Sequence, residues 1–156
     1  MMKVDVDENT HGYTHPSLRR LRNELSRRID HRVGVYQIQT DDICCGYLII
    51  DYSNNEATWS GDGFRTDNGG EGGSGYRAAG ALLRLFNTQY EVICTKPMFP
   101  HWKATQEQFD KIIGDNGLGS EEMCPKYPLS DRYPDYQKCD SKTPSFREGI
   151  QNRQIT

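Results

Sequence analysis

Between His15 and His31, Leu18, Leu21, Leu25 and Ile29 recur at steps of three and four residues, which places them on one face of an amphipathic helix. Thr14 and Pro16 are start signals for it, and arginines fill the other faces. The period then changes. Val33 to Thr40 (VGVYQIQT) alternates with period two, Asp41-Asp42 marks a turn, and Ile43 to Ser53 (ICCGYLIIDYS) reads as a buried central strand. Asn54-Asn55 is a second turn before a short strand over 56–60 carrying Trp59, so the three strands form an antiparallel meander. A second helix is predicted from Ser74, as its N-cap, to Asn87, with Tyr76, Ala79, Leu83 and Phe86 on one face. Glu91 to Lys96 reads as a fourth strand ended by Pro97. Thr105-x-x-Gln108 is a capping box opening a third helix through Phe109, Ile112 and Ile113, which Gly114 closes.

The pattern predicts an α+β fold: one antiparallel sheet, a three-strand meander plus one further strand, with helices mainly on one face and an irregular C-terminal extension. Residues 1–13 are polar and expected to be loose. Residues 1–116 form the compact domain. Residues 117–156 lose all periodicity and carry four prolines with six acidic and six basic residues, as either a disordered tail or an arm laid on another subunit.

Between the third strand and the second helix, eight of the twenty-one residues from Ser60 to Gly80 are glycine. Ordering glycine is entropically costly, so a loop with this composition is expected to do something with its backbone. Placed before a helix N-terminus, open N–H groups and the helix dipole favour an anion, and glycine lets the chain approach it closely. Gly70, Gly72, Gly73, Ser74 and Gly75 are the candidate cradle, with Arg65 and Arg77 as bidentate phosphate donors. Phe64, Trp59 and Tyr76 offer flat faces for a base, Asn68 or Asp67 a polar contact, and Glu71 a ribose-hydroxyl acceptor or a base. The alternative is a long turn that needs glycine only for its shape. The stretch lacks the Gly-Lys-Ser/Thr ending of a phosphate-binding P-loop. Gly70-x-Gly72-x-x-Gly75 matches GxGxxG, but after antiparallel strands, which argues against a dinucleotide oxidoreductase.

Net charge is −3 at pH 7 and mean hydropathy is −0.83, which argues against binding to a nucleic acid polymer. Six arginines between Arg19 and Arg32, Arg20 and Arg28 among them, suit a small anion better. No apolar run is long enough for a membrane span, and the opening MMKVDVDENTHG lacks the signal-peptide pattern, so a cytoplasmic protein without a membrane partner is expected. Five cysteines without a CxxC read as reduced structural residues. A zinc site from His11, His15 and two cysteines is the alternative, which Gly12 and Pro16 oppose; no metal or cofactor is expected. His101 is read as a surface residue.

The stretch GDGFRTDNGGEGGSGYRAAGALLRLF, Gly61 to Phe86, resembles small phage proteins that counter Thoeris defence by sequestering a cyclic ADP-ribose signal. The resemblance covers about a sixth of the chain. It implies a non-catalytic sponge for a cyclic nucleotide, working as a homo-oligomer. Phe64, Arg65, Asn68 and Arg77 would supply stacking, phosphate and polar contacts, completed by Arg20 or Arg28. Two other readings stay open: an enzyme hydrolysing a nucleotide or ADP-ribosyl compound, and a protein–protein inhibitor with no small-molecule ligand.

Overall fold

The two period-two segments become the centre of the sheet, β2 (Val33–Gln39) and β3 (Cys44–Asp51), paired antiparallel with Val33 opposite Asp51 and Gln39 opposite Cys45. The protein is described by a computed structural model covering residues 2–86, 88, 90–92 and 102–132. Its other elements are β1 (Val4–Asp5), α1 (Thr14–Arg27), β4 (Glu56–Trp59), β5 (Phe64–Arg65), α2 (Gly70–Leu85), β6 (Tyr90–Val92), α3 (Gln106–Asp115) and α4 (Leu129–Arg132). The sheet runs β1-β4-β3-β2-β6, and two-residue β5 pairs with the start of β3.

Both faces of this mixed α+β sheet are covered. On one, Val33, Val35, Cys45, Tyr47 and Ile49 pack against Leu21 and Leu25 of α1, Ala79 and Leu83 of α2 and Leu129 of α4. On the other, Tyr36, Ile38, Leu48, Ile50 and Trp59 pack against Phe109, Ile112 and Ile113 of α3. Three of the four helices thus share a face. Coverage on both sides is why every residue of β2 is buried, where a half-exposed antiparallel strand would alternate.

The meander is antiparallel, but both edge strands are parallel to their neighbours, β1 to β4 and β6 to β2. Parallel neighbours need a crossover, and α2 carries the chain across the sheet before β6. The first residues are not loose. Met2 and Val4 are buried, and Gln106 of α3 holds them, accepting from the Val4 amide at 2.9 Å and donating to the Met2 carbonyl at 3.1 Å. The alternation of Val4 and Val6 was the overlooked signal.

Helix α1 stops at Arg27 rather than His31; Ile29 keeps the apolar period because it still packs on the core from the turn beyond. The Thr105 hydroxyl caps α3 by accepting from the Gln108 amide, whereas Gln108 Oε1 accepts from the Lys103 amide instead of closing a reciprocal box. Gly117, not Gly114, ends α3. Gly117 has φ +63° and donates to the Gly114 carbonyl, and the Leu118 amide donates to that of Ile113. Leu118 and Leu129 are fully buried in the two cores, so the packed body continues past residue 116. The rest of the expected extension (133–156), residues 93–96 of the fourth strand, His101, Cys94 and Cys139 lie outside the described residues. Among the described residues no helix is long and apolar enough to cross a membrane.

Candidate functional site

The glycine-rich stretch is mostly helix. α2 opens at Gly70 behind the N-cap Gly69, so Ser74 lies inside the helix and is not its cap. Sterics explain much of the composition. A Cβ on Gly73 would run into the Asn68 backbone, 2.6 Å from its Cα, and one on Gly72 would meet Arg65 Cγ at 2.6 Å. A Cβ on Gly75 would collide with the Thr14 methyl where α1 crosses α2. Gly70 has open space around it but φ +59°, which an L side chain adopts only with strain. Gly80 is the exception. It is helical, and its nearest neighbour would be Arg84 Nη1 at 3.7 Å, so Gly80→Ala should stabilise the fold by about 0.5–1 kcal/mol, read by urea denaturation.

What the close packing builds is a cleft of about 580 Å³ at the start of both long helices. Its walls are Gly12, Tyr13, Thr14, His15 and Pro16 on the α1 side, and Gly63, Arg65, Glu71 and Gly72 on the β5–α2 side, with Asp41, Cys44 and Asp62 between. Neither N-cap, Tyr13 nor Gly69, supplies a side-chain hydrogen bond to its helix. Among the described residues the first-turn amides of α2 thus receive no side-chain cap from the N-cap residue, and they carry the positive end of the helix dipole. Tyr13 is 64% exposed and is the cleft's accessible aromatic ring.

The charged groups on the walls are paired. Arg65 grips Asp67 bidentately, Nε to Oδ1 at 3.0 Å and Nη2 to Oδ2 at 2.7 Å. That bond and the charge behind it raise the guanidinium pKa and hold the Asp67 carboxyl below its ordinary range. Glu71 meets His15 Nε2 at 3.0 Å. Asp62 accepts from the Gly12 amide at 2.7 Å and lies 3.3 Å from His11. Burial would raise the Asp41 carboxyl, but bonds from the Ile43 and Cys44 amides outweigh it and lower it. Cys44 is pushed up to about 11 by burial and then by Asp41. Its thiolate should form about 100-fold less at pH 8 than that of a free thiol, and its alkylation, followed by peptide mass spectrometry, should be correspondingly slow.

The residues named from sequence divide sharply. Arg65, Glu71 and Gly72 line the cleft, and Gly70 adjoins it. Phe64 does not offer a stacking face: it is fully buried, edge-on to Tyr47 at 5.3 Å, and Trp59 is buried on the opposite face of the sheet. Arg28 is also interior, surrounded by Glu24, Asp51 and Glu56. Arg20 is tied to the Trp59 carbonyl at 2.8 Å and to Asp5 at 3.0 Å. Tyr76 leans on the sheet with its hydroxyl 3.3 Å from Gln37 Oε1. Arg77 donates to Ser74 Oγ at 3.2 Å, and neither lines the cleft. Asn68 is exposed in the left-handed region at φ +61°, and Gly73 and Gly75 serve packing. Sequence reasoning missed Tyr13 and the cleft role of His15, because nothing local says that the start of the first helix faces that of the second; Asp62, which the sequence offers with Asp67 as a second carboxylate beside Glu71, lines the cleft.

A smaller groove of about 280 Å³ runs on between α1 and α2, lined by His15, Leu18, Arg19, Arg22, Ala78 and Leu82. Among the described residues no group of three His, Cys, Asp or Glu side chains is placed to hold a metal ion. Comparison with family models, curated proteins and solved structures gives no match for the chain.

Proposed function

We propose that the chain binds a phosphate-bearing cyclic nucleotide, of the ADP-ribose kind implied by the resemblance of Gly61–Phe86, and holds it without cleaving it. The observation that carries this reading is the cleft in which two helix N-termini without side-chain caps meet, with Arg65 and the exposed Tyr13 ring on its walls. The open amides would donate to phosphate oxygens. The carboxylates of Asp62, which accepts from the Gly12 amide, and of Glu71, beside His15, would accept from ribose hydroxyls. A soluble homo-oligomer acting in the cytoplasm of a host cell belongs to the same reading.

A second reading, a nucleotide-cleaving enzyme, is favoured by the His15–Glu71 pair on the cleft wall, since an imidazole held by a carboxylate can take a proton. Both side chains are more than half exposed, so nothing among the described residues excludes water from the pair as a catalytic site would, which argues for the binder. Titration calorimetry with cyclic ADP-ribose, followed by chromatography of the ligand after release, separates the two. Tight binding with the ligand recovered unchanged supports the binder, turnover supports the enzyme, and absence of binding removes the proposal. Arg65→Ala should weaken binding about tenfold, the effect of losing one charge-assisted contact.

A further inference from the structure

We infer that the groove between α1 and α2 is a second anion subsite, adjoining the cleft at His15, in which Arg19 and Arg22 take the second phosphoryl group of the ligand's pyrophosphate. This rests on the cleft reading above and extends it. His15 lines both hollows, so they meet at the His15–Glu71 pair. The guanidinium groups in the groove differ from their neighbours. Arg20, Arg27, Arg28 and Arg65 each meet a carboxylate within the chain. Among the described residues Arg22 reaches the amide oxygen of Asn23, at 3.4 Å, and the groove that it and Arg19 line holds no acidic residue.

They stand three residues apart on one helix, a like-charge spacing that costs rather than gains stability unless an anion lies between them. The groove floor is Leu18, Ala78 and Leu82, so the guanidinium groups stand over apolar surface. A charge-assisted bond there is less weakened by water than one in open solvent. The ligand would thus lie with its base and one ribose toward Tyr13, Asp62 and Glu71, and the second phosphate of its pyrophosphate over Arg19 and Arg22.

The test is calorimetric titration with AMP, ADP and inorganic pyrophosphate, on the unsubstituted chain and on an Arg19→Gln/Arg22→Gln double variant. An Arg32→Gln variant controls for loss of positive charge elsewhere. Arg19, Arg22 and Arg32 are all exposed, so folding should survive and is checked by circular dichroism. The expected result is ADP binding about tenfold tighter than AMP. The double variant should lose that increment while keeping its AMP affinity, and Arg32→Gln should change neither. Pyrophosphate is expected to bind more weakly than ADP, since it fills no base site. Equal losses for AMP and ADP in the double variant, or no loss for either, overturn the subsite while leaving the cleft reading standing. A chain that binds none of the three probes overturns the subsite, and one that binds neither these nor cyclic ADP-ribose overturns the cleft reading as well.

Discussion

Arg28→Ala is expected to lower the folding free energy by about 3–5 kcal/mol, the cost of removing one partner from a buried ion cluster. The Arg28 side chain is only 2% exposed and bonds to Glu24. Its Nε faces Asp51 Oδ2 at 3.2 Å, and its Nη2 reaches Glu56 Oε1 at 3.0 Å and Thr58 Oγ1 at 3.2 Å. Asp51 is fully buried, so alanine would leave its carboxylate without a guanidinium, held by His31 Nδ1 at 2.6 Å, the Ser53 and Asn54 backbone amides and Asn54 Nδ2 at 3.3 Å. Arg27, 57% exposed beside the same Glu24, is the contrast: its replacement should cost no more than about 1 kcal/mol.

Urea denaturation measures both, and equal small losses would show that the cluster is not electrostatically committed. The pH dependence follows from Glu24. Burial alone would raise its carboxyl, but the bonds and charges of Arg28 and Arg27 outweigh this and hold it below its ordinary 4.5. A group with a depressed folded-state pKa contributes stability above its unfolded value and loses it as the pH falls through the folded one. The gap between the unsubstituted chain and Arg28→Ala should therefore narrow below about pH 4.5.

Gly73→Ala sets two effects of opposite sign against each other. Alanine is favoured over glycine inside a helix by about 0.8–1 kcal/mol. Against that, its methyl would overlap the Asn68 backbone, including the Cα at 2.6 Å, and a backbone held by the Asp67 turn cannot rotate away as a side chain could. Overpacking of this kind costs about 1–3 kcal/mol, and here should reach the upper end. A net loss of about 2 kcal/mol is expected, together with weaker ligand binding, because relief of the clash would pull the first turn of α2 from the cleft wall. Thermal unfolding of Gly73→Ala beside Gly80→Ala gives the comparison. A rise in Tm for both would mean that the glycines serve no close approach.

The meander, α1 and α3 were legible because their apolar positions repeat with one period over a whole element. What escaped was set by distance rather than by period. Glycine at 72, 73 and 75 reads as loop in a local window, and only the approach of Arg65, Asn68 and Thr14 turns it into a helix that needs small residues. Phe64 and Arg28 carry the right chemistry for a nucleotide site, yet no single-sequence signal distinguishes an arginine aimed at buried Asp51 from one aimed at solvent. Two parts of the cleft were visible, Arg65 and Glu71, because they flank the helix start. Of the opposite wall, Tyr13 falls in the stretch that reads as loose, and Thr14 to Pro16 read as the beginning of a different helix.

The two-residue β1 has a consequence for solubility. An exposed sheet margin invites another chain to extend it, and β4 would present such a margin beside the buried core strand β3. Val4 and Asp5 occupy it, held by Arg20 through the Asp5 carbonyl and carboxylate and by Gln106 from α3. So short a terminating strand offers an incoming chain few hydrogen-bonding positions, and Asp5 adds a charge there. Deleting residues 2–5 should uncover the β4 margin and make the protein prone to self-association, while β2 and β3 keep their helical cover.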